Sequence, residues 1–267
     1  MLNNRSIVML WRPRRIWVVG AIHGDTRRLA AVHATIRPRL AYGDRIVYTG
    51  NYLGVGGAIF DTVAELLRFR RLFLSIPPYM KETDCVFLRG SQEEMWQKLL
   101  QLQFSNRPAA DLAWMLDRGV AATLEAYGGK AEEGFACAEE GVVALTKWTN
   151  RLRDAMRAAP GHEAMMNALK RAAVSRPGGA LFVNAGIDAS RVLDAQTDSF
   201  WWAGRSFAAI REPYEGFRRI VRGYDPDHGG FAETDLTLTV DGGCGFGGPL
   251  AAVCLTPEGE VLERFEA

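Results

Sequence analysis

Three times in the first hundred residues, a short β-branched run ends in glycine, passes through a turn and opens an amphipathic helix. The run at 16–20 leads through AIHG into DTRRLAAVHATIRPRL, where Leu29, Val32 and Ile36 recur at helical spacing and Asp25 stands at the N-cap position. DRIVYTG, NYLGVGG and AIFDTVAELLRFRRLF repeat the pattern, and DCVFLRG, SQ and EEMWQKLLQLQF repeat it again. Strands alternating with helices require a mostly parallel sheet, with the functional loops at the strands' carboxyl ends.

Between 107 and 176 the strand signal stops. DLAWMLDRGVAATLEAY, CAEEGVVALTKWTNRLRDAMRAA and HEAMMNALKRAAV read as helices, the second with Val142, Leu145, Trp148, Leu152 and Met156 on one apolar face. This predicts a helical insertion over the loop edge of the sheet, ended by Pro177. Strands return as ALFVNAG, RRIVRGY, LTLTVDGG, PLAAVCLT and EVLERFE. The close spacing of the last four predicts antiparallel pairing in a second sheet. Residues 1–15 read as an N-terminal arm before a domain over 16–267.

At 267 residues, with 48% hydrophobic and 24% charged residues, the chain can bury a core without disulfides. Cys85, Cys137, Cys244 and Cys254 make no zinc spacing, so free thiols, a reducing compartment and a cytoplasmic setting are expected. A formal charge of +1 argues against a general nucleic-acid or anionic-membrane binder, and no apolar run reaches the length of a membrane span. Of the 32 basic residues 27 are arginine, and the runs at 12–15, 68–71 and 218–222 read as solvated faces, the first a candidate docking arm.

Five loop motifs, VVGAIHG, YTGNYLGVGG, FLRGSQEE, LFVNAGID and IVRGYDP, stand in order at strand ends. They resemble the GDIHG, GDYVDRG, LRGNHE, VHAGI and late GH motifs of PPP-type, calcineurin-like metallophosphoesterases. That family includes bacterial Ser/Thr protein phosphatases and symmetrical diadenosine tetraphosphatases. Gln196 followed by FWWAGR, and the closing LTLTVDGGCGFGGPLAAVCL, resemble two further family segments, so the likeness runs over about 16–265. It implies an α/β sandwich of two mixed sheets flanked by helices, and a site where two divalent metals such as manganese or iron and zinc clamp a phosphate.

Carried over position by position, that site is degenerate. The family's first Asp falls on Ala21, its next ligand survives as His23, and the bridging Asp falls on Asn51. Ser91 stands for the ligand Asn, and Asn184 and Tyr224 for the two later His ligands. The general-acid His falls on Gln92, its Asp partner on Gly54 and a phosphate-gripping Arg on Val55, while Arg205 keeps the place of another phosphate-binding Arg. Two dications held without the bridging anion would leave the cost of their dehydration unmet.

The resemblance therefore implies a pseudophosphatase without a metal cofactor, binding a protein partner or a phosphate-bearing ligand and neither nucleic acid nor membrane. The alternatives are a residual metal-dependent hydrolase and a structural subunit of an assembly. For the hydrolase, His23, Asp25, Asp225 and His228 are the residues left to rebuild a one-metal site. Otherwise His23 is expected to bond backbone, His228 to be solvated in its turn, and His33 and His162 to lie on the surface. Asn51, Ser91, Gln92, Asn184 and Tyr224 are expected to satisfy one another. Trp201 and Trp202 are expected to be buried, and Arg89 to form a strand-end ion pair.

Overall fold

The computed structural model describes residues 6–267. Two mixed sheets lie face to face. The first half of the chain supplies β1 (Ile7–Met9), β2 (Ile16–Val19), β3 (Arg45–Tyr48) and β4 (Cys85–Phe87), with α1 (Thr26–Ile36), α2 (Ile59–Leu74) and α3 (Ser91–Leu99) following β2, β3 and β4. Asp25 caps α1 as expected, accepting the Arg28 N–H at 2.9 Å. Five more helices follow: α4 (Pro108–Met115), α5 (Ala121–Ala126), α6 (Ala131–Glu140), α7 (Val142–Ala158) and α8 (His162–Ala168). The chain then forms β5 (Ala172–Val174), β6 (Ala180–Val183), α9 (Ser199–Trp202), α10 (Gly204–Phe207), β7 (Arg219–Arg222), β8 (Ala232–Glu233), β9 (Thr237–Thr239), β10 (Ala251–Leu255) and β11 (Val261–Glu266).

One sheet has the order β11-β10-β2-β3-β4 and the other β1-β5-β6-β7-β9-β8. In the first, β2, β3 and β4 are parallel, and β10 returns antiparallel to β2. In the second, β7 runs parallel to both β6 and β9. The expected run of antiparallel neighbours is thus confined to two pairs, β8 with β9 and β10 with β11, because β10 leaves for the other sheet.

Strand residues alternate between two buried faces, so the strands read as continuous apolar runs. Ile16, Val18, Val47, Val86, Phe182, Val221 and Val253 pack between the sheets. Trp17, Val19, Ile46 and Tyr48 face the outer core with Leu29, Leu66 and Phe69 of α1 and α2. Leu145, Trp148, Leu152 and Met156 join that core, as the spacing along α7 predicts, while Val142 at the start of the helix is exposed.

The boundaries of the arm and of the insertion are corrected. Ile7–Met9 is a strand paired parallel with β5, and Leu10 is buried between the sheets, so 1–15 is no arm from residue 7 on. The helices end at Ala168, and Ala172–Val174 is a strand inside the span 107–176. Both errors come from three-residue strands whose stabilisation lies in each other, far apart in sequence. Among the described residues no helix is long and apolar enough to cross a membrane.

Candidate functional site

Three parallel strands of one sheet and three of the other end at the same edge, and their loops interlock. Ala21 N–H donates to the Gly223 carbonyl at 2.8 Å, joining the loops after β2 and β7. The Ile22 and His23 N–H groups both donate to the Asn51 carbonyl, at 3.0 and 2.7 Å. The six positions where the resemblance places metal ligands therefore do come together.

Their side chains are occupied with one another. Asn51 Oδ1 accepts from Ser91 Oγ at 3.2 Å and from the Gln92 N–H at 3.1 Å. Asn184 Oδ1 accepts the Ser91 N–H at 3.3 Å, and Asn184 Nδ2 donates to the Thr49 carbonyl at 2.8 Å. Asn51, Ser91, Gln92 and Asn184 are all buried. A Cβ on Gly90 would fall on the Asn51 carboxamide, which shows how closely the amides fill this space. The expected mutual satisfaction is only partial: Asn51 Nδ2 and Gln92 Oε1 are buried without a partner among the described residues, and Tyr224 stands apart.

Gln92, at the general-acid position, donates from Nε2 to the Arg118 carbonyl at 2.7 Å. A Cβ on Gly54 would collide with the Gln92 carboxamide, so the loss of a side chain at 54 makes room for the side chain at 92. Arg118 lies in a single π-helical turn, Leu116–Val120, between α4 and α5, where Gly119 has φ +98. Val55 N–H donates to the Gly119 carbonyl at 2.9 Å, and Gly54 N–H to Thr123 Oγ1 at 2.9 Å. The helical insertion is thus bonded onto Gly54, Val55 and Gln92, the three positions where the resemblance places catalytic groups.

Two buried carboxylates organise this edge, and neither was singled out from the sequence. Glu93 accepts N–H bonds from Asn51, Tyr52, Leu53 and Gly90, at 2.8, 2.8, 3.1 and 2.9 Å. Burial pushes this carboxyl up, and the four N–H bonds favour the anion. The one signal in the sequence is its place three residues after Gly90, the acidic position of a capping box. Asp241 accepts the N–H groups of Asp225 at 2.7 Å and Gly243 at 2.8 Å, and burial raises its pKa.

His23 meets the Leu53 backbone, but short of full hydrogen-bond geometry. It is 1% exposed, and neither ring nitrogen has a hydrogen-bond partner among the described residues. Burial first, then His228, push its pKa down to about 3, with the Leu53 backbone opposing in part, so the ring is neutral. Tyr224 and Phe246 pack edge-on against it, with ring centroids 5.6 and 5.2 Å away. Burial, with Asp241, Asp225 and Asp227 adding to it, lifts the Tyr224 hydroxyl to about 12. His228 is half-buried rather than solvated, stacked on Phe246 at 4.0 Å, because the glycine turn 242–248 folds back over the edge.

The four residues proposed for a rebuilt metal site are dispersed among other partners. Asp25 caps α1 and pairs with Arg28 at 2.5 Å. Asp225 pairs with Arg222 at 3.0 Å and accepts the Asp227 and Gly229 N–H groups. Among the described residues, no three His, Cys, Asp or Glu side chains form a group able to hold a metal ion. At the family's ligand positions the donors are one imidazole, neutral amides, a hydroxyl and a phenol, and the amide oxygens already accept hydrogen bonds. Such a set does not fit two dications.

Other placements correct the sequence reading. His33 and His162 are buried, since partners far away in the chain satisfy them: His33 contacts Glu65 at 2.6 Å and the Tyr48 hydroxyl at 2.9 Å, and His162 contacts the Tyr127 hydroxyl at 2.8 Å. Arg222 leaves the supposed solvated run 218–222 and is 5% exposed, bonded to Asp225, Thr239 and the Gly204 carbonyl. Trp201 is buried, but Trp202 is 39% exposed, edge-on to Trp114. Arg89 does form its ion pair, with Glu94 at 3.0 Å. Arg205 is exposed in α10, beside Gly204, which lies against Pro226 and Ala185, and has no hydrogen-bond or ion-pair partner among the described residues.

No family model matches the sequence, and no curated protein matches it. The structure, by contrast, is similar to solved phosphatases. A protein assigned as a diadenosine tetraphosphatase superposes with a TM-score of 0.58 at 17% identity over 98% of both chains. A protein serine/threonine phosphatase from Saccharomyces cerevisiae gives 0.55 at 13% identity, over 98% of this chain and 84% of that one. A cold-active protein tyrosine phosphatase gives 0.54 at 11% identity, over 98% and 80%. Sheet order, loop placement and these superpositions agree that the chain has the calcineurin-like metallophosphoesterase fold.

Proposed function

We propose that this chain is a non-catalytic member of the phosphatase-like proteins and acts by binding. The observation that carries this reading is the interlocked set Asn51–Ser91–Gln92–Asn184, which places neutral, largely hydrogen-bonded amides where the fold's enzymes need charged ligands. Phosphoryl transfer needs stabilisation of charge developing on the phosphate, and this edge supplies neither a metal-binding anion nor a general acid at position 92. A phosphate-bearing ligand meeting this edge would rely on loop N–H groups and on Arg205, so its affinity would be weak, on the order of micromolar to millimolar.

One observation favours the alternative of a residual hydrolase: the two unpartnered nitrogens of His23 are free to take a ligand. Elemental analysis of dialysed protein, with assays on nitrophenyl phosphate, a phosphopeptide and diadenosine tetraphosphate in added manganese, separates the two. Less than one metal per chain and no turnover are expected. Two metals per chain, or turnover abolished by His23→Asn, would overturn the binding reading. Phosphate and adenine nucleotides are then titrated against wild type and Arg205→Ala. Equal binding by both would remove the phosphate ligand and leave a protein partner.

A further inference from the structure

At the opposite pole of the molecule, where β2 and β3 begin, six arginines surround three acids. Arg14 and Arg15 share Asp44, at 3.0 and 2.9 Å. Arg45 pairs with Asp84 at 3.0 Å and Arg39 with Glu263 at 3.5 Å. Arg12 and Arg37 are exposed and have no hydrogen-bond or ion-pair partner among the described residues. Between them stand two large aromatics, Trp11 at 73% and Tyr42 at 55% exposure.

This surface is held rigidly. Leu10 is anchored between the sheets and Ile16 begins β2, so residues 11–15 cross from one sheet to the other with both ends fixed. Arg45 Nη2 donates to the Trp11 carbonyl at 2.6 Å, Arg14 N–H to the Gly43 carbonyl at 2.8 Å, and Arg15 Nη2 to the Arg39 carbonyl at 2.7 Å. These bonds tie 11–15, 39 and 43–45 into one face. Arg12 itself sits at φ +44, a left-handed conformation that an arginine adopts only when its surroundings impose it.

Tryptophan, tyrosine and arginine are the residue types that dominate binding hot spots, and a preformed face loses little entropy on docking. Two unpaired guanidinium forks match carboxylates in bidentate geometry. A nucleic acid would need a continuous track of many phosphate contacts, whereas the acids Asp44, Asp84 and Glu263 break this arginine surface into separate points. We infer that this pole docks an acidic segment of a partner protein, one carrying an apolar or aromatic side chain to lie against Trp11 and Tyr42. The inference concerns the pole opposite the phosphatase-like edge and does not rest on what that edge binds.

The test uses the full chain and a labelled peptide of Glu, Asp and Gly around one Phe, read by fluorescence anisotropy. Saturable binding is expected, weakening as ionic strength rises from about 0.05 to about 0.3 M. The double variant Arg12→Glu/Arg37→Glu and the single variant Trp11→Ala should each weaken it by at least about tenfold. All three side chains are exposed, and unchanged melting confirms that the variants fold. Arg205→Ala should bind as wild type does. No binding, binding unaffected at Arg12, Arg37 and Trp11, loss with Arg205→Ala, or tighter binding of oligothymidylate or anionic vesicles would each overturn the proposal.

Discussion

The two poles of the sandwich each hold a buried carboxylate, and the two are neutralised in opposite ways. Glu93, at the carboxyl ends of the strands, takes four backbone N–H groups and no cation. Asp44, at the amino ends, takes Arg14, Arg15, the Trp17 indole N–H at 3.0 Å and the Ala41 N–H at 3.1 Å. The first pole holds its buried anions Glu93 and Asp241 on backbone N–H groups. The second holds Asp44 on guanidinium groups and has more cations than its acids can use.

The largest expected effect is at Glu93. Glu93→Gln replaces an acceptor of four N–H bonds by a group that donates on one side, and should cost about 4 kcal/mol of unfolding free energy. Urea denaturation measures it, and a loss below about 1 kcal/mol would mean that the loop 50–54 is held by something else. Asn51→Asp should follow, at about 3 kcal/mol, because it introduces a buried carboxylate with no cation beside Ser91 and Gln92. Added manganese should restore neither stability nor activity. Recovery of either would show that the remaining ligands suffice.

Acid comes next. Burial lowers the pKa of both His23 and His33 below the usual histidine value of about 6.5, and Glu65 next to His33 sits at about 2 despite burial, because His33 and Arg68 favour its anion. A histidine with a depressed folded pKa contributes stability that is complete above about 6.5 and is lost as pH falls towards the folded value. Between pH 6.5 and pH 5 the loss through His23 should be about 2 kcal/mol, from roughly 1.5 units at 1.4 kcal/mol each. His23→Asn, which tolerates the local φ of +51, should flatten that limb of a thermal-melting profile. Glu65 adds a further loss only between pH 4.5 and about 2. The smallest effect is expected at the arginine-rich pole, where Glu263→Gln should cost less than about 0.5 kcal/mol, since Arg39 and Glu263 are both exposed and 3.5 Å apart.

What was legible in the sequence is what local order determines. The strand–turn–helix units, the Asp25 cap and the Trp148 face each depend on residues within a few positions of one another. The order of the glycine loops at the strand ends is legible too, because each loop follows its own strand directly. What was not legible depends on pairing across the fold. β1 and β5 are three residues each, and β1 is held as a strand by its pairing with β5, far away in the chain. His33 and His162 were read as surface groups because Glu65, Tyr48 and Tyr127 are distant in the chain. Glu93 looked like one more acid in the first turn of a helix, and nothing local indicated that its oxygens cross to the loop 50–54.

The π-helical turn at Leu116–Val120 bears on how the chain comes apart. Helical additions to a sandwich usually open on their own, as a separate foldon with its own exchange rates. Here the carbonyls of Arg118 and Gly119 and the hydroxyl of Thr123 are bonded to Gln92, Val55 and Gly54, the residues that fill the old catalytic edge. The helices cannot lift away without uncovering buried amides beside Glu93, and the edge cannot loosen without releasing the helices. Insertion and sandwich should therefore open as a single cooperative unit, read as one melting transition and one class of slow-exchanging amides spanning both.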